Sequence, residues 1–496
     1  MGQLTNTMRR PQGTRPRKPS VPSASAATSA TAPRTGTRPA GSAAASGAGA
    51  NRPSLADRTR ARTARISVNR VFQAESSNYY FLLGTTLFLV VLGLVMVLSS
   101  SSIDSYTARQ GFFGTFWKQG VFALIGVPLM LVISRLPMRF WKRWGWVALA
   151  GGVGLQLVVL FTPLGVKVGG NLNWLNVGGV SLQPSELIKL GLVIWMGVIL
   201  AKKQRYLHLW KHVAIPVIPV AGGAVLLVMA GGDLGTVMIM AGLLFGALFF
   251  AGIRLRMFVV PLILGGAAIA VIAMSSASRV SRIGTFLSEG CTDYADSCWQ
   301  TQHGLFALAN GGFFGVGLGN SKAKWSWLPA ADNDFIFAII GEELGMIGAL
   351  VVIALFVALA IAFLRIVRSS KDMFSKVVSG SVMVWIISQA LVNIAVVLGV
   401  IPVLGVPLPL ISSGGSALIT TLIAIGVVLS IARGQTKETA GDPDAAALVA
   451  PGASRVAAAG RLPGASRSQG LAGAGRATTA ARATPTPSPR RVVRSK

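Results

Sequence analysis

The chain has 496 residues, of which 52% are hydrophobic and only 12% charged, and it carries a formal net charge of +30. Its apolar runs approach twenty residues with hardly a charge, which matches the hydrocarbon thickness of a bilayer and exceeds what the core of a soluble domain uses. The basic excess is not read as a nucleic-acid signal, because about half of the Lys and Arg lie near the two ends and most of the rest in short connectors, and nothing in the chain resembles a folded nucleic-acid-binding module.

Residues 1–77 are rich in Ala, Ser, Thr, Pro, Gly and Arg and nearly devoid of large aliphatics. Such a segment cannot bury enough apolar surface to offset its ordering entropy, so a disordered tail is expected. The first apolar run begins near Tyr79, too far along for a cleavable signal peptide. Residues 434–496 share this composition, and the same is expected of them.

Between the tails, residues 78–433 read as an all-α, polytopic membrane domain of about ten helices. The spans are Tyr80–Leu98, Trp117–Ile133, Trp144–Thr162, Pro184–Ala201, Val213–Met229, Leu234–Ala251, Phe258–Ser275, Phe335–Arg365, Val377–Val400 and Gly415–Arg433. Connectors bearing Arg135, Arg139, Lys142 and Arg143, then Lys202, Lys203, Arg205 and Lys211, then Arg254 and Arg256, then Arg365, Arg368, Lys371 and Lys376 alternate with connectors almost free of Lys and Arg. The positive-inside rule places these four in the cytoplasm. Both termini are then cytoplasmic, the large loop 276–333 is extracytoplasmic, and the basic tails are expected to attract anionic membrane lipids.

Several ionisable groups sit at or inside the spans. Glu186 and Lys189, three residues apart on the fourth span, share one helical face and read as a buried ion pair, with substrate contact as the other option. Just before that span, Trp174 could be an interfacial anchor or a site residue. Asp233, in GGDLGT, could cap the sixth span or serve the site. Glu342 and Glu343 lie about two turns into the eighth span, where at least one needs a partner or water.

The long loop contains the chain's two cysteines, Cys291 and Cys298, which an oxidising compartment could bridge or leave as free thiols. Its end, Trp299 to Gly345, concentrates glycines, tryptophans, lysines and carboxylates. Long loops in compact domains are usually functional. GVGLGNSK (Gly315 to Lys322) lacks the GK[ST] ending of a nucleotide loop and instead offers flexible backbone. A second connector, IPVLGVPLPLISSGGSA, forces irregular backbone beside the membrane, tolerated only where it lines a cavity. Ser412 is its candidate substrate contact. An outward-facing cavity roofed by these loops is the expected site.

Five motifs, in order, resemble the SEDS family of bacterial shape, elongation, division and sporulation proteins: NWLNVGGVSLQPSELIK (Asn173 to Lys189), DLGT (Asp233 to Thr236), AxxxGGFFGxGLGxSxxK (Ala307 to Lys324), LPxxxxDFIFAIIGEELG (Leu328 to Gly345) and GVPLPLISSGGS (Gly405 to Ser416). The IIGEELG ending and long tails look more like the family's division branch than its elongation branch. The chain departs from the family pattern at Asn173, Gly232, His303, Ala330, Asp332 and Asn333, while the family's acidic residue matches Asp334.

The resemblance implies a peptidoglycan glycosyltransferase that polymerises lipid II into septal glycan strands beside a class B penicillin-binding protein and other divisome proteins; a lipid II flippase and a non-catalytic scaffold are the alternatives. Asp334 would take the proton of the attacking sugar hydroxyl. Arg279, Arg282, Lys322 and Lys324 are candidates to neutralise the departing pyrophosphate, with Lys324 the one carried over by motif. Asp332, Asn333 or Asp334 could equally cap the eighth span. No cofactor is required by the resemblance, and a divalent cation, Mg or Mn, held by Asp334 stays open as a variant.

Overall fold

A computed structural model of the chain describes residues 75–168, 170–178, 180–254, 256–274, 280, 284, 299–325 and 327–440. Arg279, Arg282, Cys291, Cys298 and most of both tails lie outside the described residues.

A helix stands at each expected span. These are α1 (Ser77–Thr107), α2 (Gly114–Ile133), α3 (Met138–Phe161), α4 (Pro184–Lys202) and α5 (Trp210–Ala230), followed by α6 (Leu234–Phe250) and α7 (Arg256–Met274). After the added helix α8 (Trp299–Gly311) come α9 (Ile336–Ser369), α10 (Met373–Val397) and α11 (Gly415–Ala440). Eight of the described helices are long and apolar enough to cross a membrane, and α6 is a shorter apolar one. The chain is a multi-pass membrane protein.

Local chemistry fixes several helix starts. Pro184 occupies the first turn of α4, where its missing N–H costs nothing. Asp233 caps α6, its carboxylate accepting from the Thr236 N–H at 2.9 Å and the Thr236 hydroxyl at 2.7 Å. α10 packs on α4, α6 and α9 and so forms the centre of the bundle. Without a hydrophobic drive between helices in lipid, close approach relies on small residues. The α3–α4 contact does so: a Cβ on Gly152 would lie 2.9 Å from the Ile188 nitrogen, and one on Gly191 2.5 Å from the Leu149 Cα.

The structure adds three features to the expected helices. The connector before α4 is a small antiparallel sheet of β1 (Gly165–Val168), β2 (Asn171–Val177) and β3 (Val180–Leu182), with Trp174 paired to Val166 and Leu175 to Leu182. The middle of α5 widens to a π-helical turn at Ile218–Gly222, close to Pro216 and Pro219. The eighth span, expected as one run, is broken at Gly345 (φ 70°, ψ −169°).

The break in α9 frees backbone groups that the loop after α8 takes up. The Val316 and Gly317 N–H groups donate to the Glu342 and Glu343 carbonyls, each at 3.0 Å, and the Met346 N–H donates to the Gly312 carbonyl at 2.9 Å. Interrupted helices are tolerated at membrane depth only when neighbouring protein satisfies the backbone in this way. The break therefore ties the glycine-rich segment 311–317 to the start of α9. At the opposite end of the bundle, Arg433 of α11 pairs with Glu75 at 2.8 Å.

Candidate active site

Two irregular loops meet at one end of the bundle, residues 328–335 leading into α9 and residues 404–414 leading into α11. Each contains a non-glycine residue in the left-handed region, Ala330 (φ 55°) and Leu410 (φ 66°). For a bulky residue such as Leu410 that conformation is unusual and persists only where the surroundings hold it. α1 supplies part of the hold: a Cβ on Gly93 would lie 2.6 Å from the Leu410 carbonyl oxygen, so only glycine lets the helix approach so closely.

Hydrogen bonds join the loops along their length. The Ser413 N–H and hydroxyl donate to the Asp332 carbonyl at 2.9 Å and its carboxylate at 2.6 Å. The Ser412 hydroxyl donates to the Asn333 carbonyl at 2.6 Å and accepts from the Leu408 N–H at 2.8 Å. Asn393, buried on α10, donates to the Asp334 and Val406 carbonyls, both at 2.8 Å. From α2, Gln119 donates to the Ser412 carbonyl at 3.1 Å.

Asp334 is half-buried at this junction, its Oδ2 3.7 Å from where a Cβ on Gly405 would stand. The cap position of α9 is Phe335, whose side chain makes no hydrogen bond there. The cap position itself is thus occupied by none of Asp332, Asn333 and Asp334. Asp332 and Asn333 are instead tied to the 404–414 loop.

Beneath the junction the intramembrane charges are paired. Lys189 lies 2.8 Å from Glu186, with both side chains almost fully buried. Its ammonium also donates to Gln389 at 3.1 Å and sits 4.7 Å over the Trp385 ring. Gln389 in turn donates to the Pro407 carbonyl at 3.0 Å. The buried pair therefore supports the 404–414 loop through one intervening side chain. Asp233, besides capping α6, accepts from Gln183 at 3.0 Å.

Glu342 and Glu343, near the break in α9, are both buried and both engaged. Glu342 accepts from Asn310 at 2.8 Å, from the Lys322 N–H at 3.0 Å and from the Ser321 hydroxyl. Glu343 accepts from Ser99 of α1 at 2.6 Å and from Lys324 at 3.4 Å. Lys324, 3% exposed, also donates to the Gly319 carbonyl at 2.5 Å. Its ammonium staples the glycine-rich loop to α1 and α9 and borders a cavity of about 480 Å³ whose walls include Ser99, Ser102, Phe112 and Trp325. Lys322 is exposed on the same loop.

The sequence-derived candidates thus separate. Asp334, Ser412 and Asp332 converge at the loop junction, whereas Lys322 and Lys324 belong to the glycine-rich loop and Trp174 is half-buried in β2. Asn393 and Gln389, which sequence reasoning passed over, carried a readable signal: two amides four residues apart in an apolar helix share one face. Among the described residues, no group of three or more His, Cys, Asp or Glu stands where it could share a metal ion. A cation at Asp334 would therefore take at least part of its ligand set from water, substrate or neutral oxygens.

Fold and site define a class: a multi-pass membrane protein with a carboxylate held between two irregular loops at one end of a helical bundle. The FtsW/RodA/SpoVE family, described as cell cycle proteins, matches residues 80–437, and the chain belongs to it. It is 36% identical over 364 residues to the Mycobacterium tuberculosis protein named "Probable peptidoglycan glycosyltransferase FtsW", a match spanning 73% of this chain and 69% of that one. It is 35% identical over 349 residues to stage V sporulation protein E of Bacillus subtilis, across 70% of this chain and 95% of the relative. Among solved structures, a chain from a peptidoglycan synthase complex coordinating polymerization and crosslinking superposes with a TM-score of 0.59 at 22% identity, over 73% of this chain and 99% of that one. The rod shape determining protein RodA of Thermus thermophilus gives a TM-score of 0.54 at 23% identity, over 74% and 99%. These two likenesses concern the fold.

Proposed function

We propose that the chain is a septal peptidoglycan glycosyltransferase that polymerises lipid II, with Asp334 as its general base. The observation that carries the reading is the half-buried carboxylate of Asp334, fixed through its own carbonyl by Asn393 at the junction of two joined loops. A base must be held within hydrogen-bond reach of the proton it takes, and a rigid mount achieves that. Family membership and the names of its relatives point the same way.

In this reading the loop junction faces the extracytoplasmic side and both tails face the cytoplasm. A sugar hydroxyl of one substrate attacks the anomeric carbon of the other. As the new C–O bond forms, Asp334 receives the hydroxyl proton and the bond from the anomeric carbon to the pyrophosphate oxygen breaks, its electron pair leaving with undecaprenyl diphosphate. One displacement inverts the anomeric centre, and no second carboxylate is needed because pyrophosphate departs without protonation. Negative charge gathers on the leaving group, and the exposed ammonium of Lys322 is the cation of the glycine-rich loop free to meet it. Lys324 has its charge committed to Glu343, and Ser412 has its hydroxyl committed to Asn333, so both act by holding loops. Arg279 and Arg282 remain candidate cations. The strands made here would pass to a class B penicillin-binding protein within the divisome.

A transport reading drew on the polar groups inside the spans. The ion pair of Glu186 with Lys189 is closed off and supports the 404–414 loop, which favours a structural use over a water-lined path. Purified chain supplied with lipid II in detergent, with and without its cognate transpeptidase, separates the readings on a gel. Glycan polymer is expected; its absence alongside lipid II crossing of protein-only vesicles would support transport instead.

A further inference from the structure

The loop that carries Asp334 has both ends docked on α8. At its near end Trp327 stacks on two rings of that helix: its plane lies 7° from that of Trp299 at 6.1 Å between centroids, and 22° from that of His303 at 5.8 Å. Trp299 and His303 themselves stack at 4.0 Å and 25°. The Trp299 indole N–H donates to the Trp327 carbonyl at 2.6 Å. At the far end Phe335, next to Asp334, presses against the helix residue that follows His303: a Cβ on Gly304 would lie 3.1 Å from its ring. The Trp299–His303 stack, with the near-parallel Trp327 ring alongside it, therefore stands beside the backbone that mounts Asp334. Trp327 remains 54% exposed.

Tryptophans at a membrane boundary commonly serve as interfacial anchors, with the indole N–H turned to the headgroups. Here the Trp299 N–H is spent on a backbone carbonyl and its ring is held near-parallel to that of Trp327, which anchoring does not require. Flat, exposed π-faces suit a ligand with an apolar face and a polar rim. A pyranose ring has that form, with axial C–H bonds on its face and hydroxyl and N-acetyl groups at its edge.

We propose that Trp327, backed by Trp299 and His303, is a stacking platform for the N-acetylated sugar rings of the growing glycan strand. The proposal rests on the glycosyltransferase reading and adds a subsite to it. Its place next to the mount of Asp334 lets a strand stay bound between successive additions, so its loss shortens the product and spares the first bond formed. The loop tether survives truncation of Trp327, because the group bonded to Trp299 is the main-chain carbonyl.

The test compares glycan length distributions made from lipid II by purified full-length wild type, Trp327→Ala and Trp327→Tyr. The alanine variant is expected to reduce mean strand length about threefold to tenfold, with the initial rate of lipid II consumption near wild type and the tyrosine variant close to normal. A wild-type length distribution in Trp327→Ala, or equal shortening in the alanine and tyrosine variants, would overturn the platform. Absence of polymer from the wild type is a different result and defeats the glycosyltransferase reading itself. If the alanine variant does not fold, titration of the wild type with chitotetraose decides: a saturable change in tryptophan emission supports the platform, and a flat titration overturns it.

Discussion

The side chain of Asn393 holds the backbone of Asp334, donating one N–H to its carbonyl and the other to the carbonyl of Val406, each at 2.8 Å. One buried amide on the central helix thus clamps both loops of the candidate site. Replacing it by alanine strands two carbonyls, at about 1–3 kcal/mol for a buried polar group left without its partner. Asn393→Ala is expected to lower the melting temperature and to cut polymerisation from lipid II by ~100-fold, the scale of a misplacement near 1 Å. A lower melting temperature with an unchanged rate would show that Asp334 is aligned without this clamp.

The pair of Glu186 and Lys189 is predicted to behave as a unit. Lys189→Met leaves a buried carboxylate without its cation and is expected to cost about 3–5 kcal/mol in thermal stability measured in detergent. Adding Glu186→Gln should recover much of that loss, because the uncompensated charge is then gone. A double variant no more stable than Lys189→Met would argue against this coupling.

Lys322 and Lys324 are expected to part ways. Lys324→Ala removes the cation from buried Glu343 and the donor to Gly319, so it should destabilise the protein by about 3–5 kcal/mol and open the 311–325 loop to proteolysis. Lys322→Ala, on an exposed side chain, should leave melting unchanged and impair the reaction with lipid II. Kinetics and limited proteolysis on both variants check this, and identical behaviour would refute the division of roles.

Gly345 is expected to be intolerant of a side chain. Its φ of 70° is unfavourable for alanine, and an added Cβ would strike the backbone at Phe313 and Gly315. Gly345→Ala should disrupt the hydrogen bonds from segment 311–317 to α9, read as faster amide exchange at Val316 and Gly317. Exchange as slow as in the wild type would mean that the break in α9 accommodates the methyl group.

The membrane spans were legible because hydropathy reports on segment length and polarity, and both survive in the folded bundle. The break at Gly345 was not, since an apolar run reads the same whether its backbone is continuous or interrupted. The sheet at Gly165–Leu182 was hidden by its brevity and its Asn and Gly content. Asp334 could be singled out by motif, yet the burial of Lys324 and the engagement of Ser412 depend on partners more than seventy residues away in sequence, Ser99 and Asn333. Periodicity does not reveal such pairings.

The most direct test of the account is glycan synthesis from lipid II by purified Asp334→Asn, a near-isosteric change that removes the base and keeps the backbone clamp from Asn393. The account predicts no polymer from a variant that inserts and melts like the wild type. Polymer at the wild-type rate from that variant would contradict it.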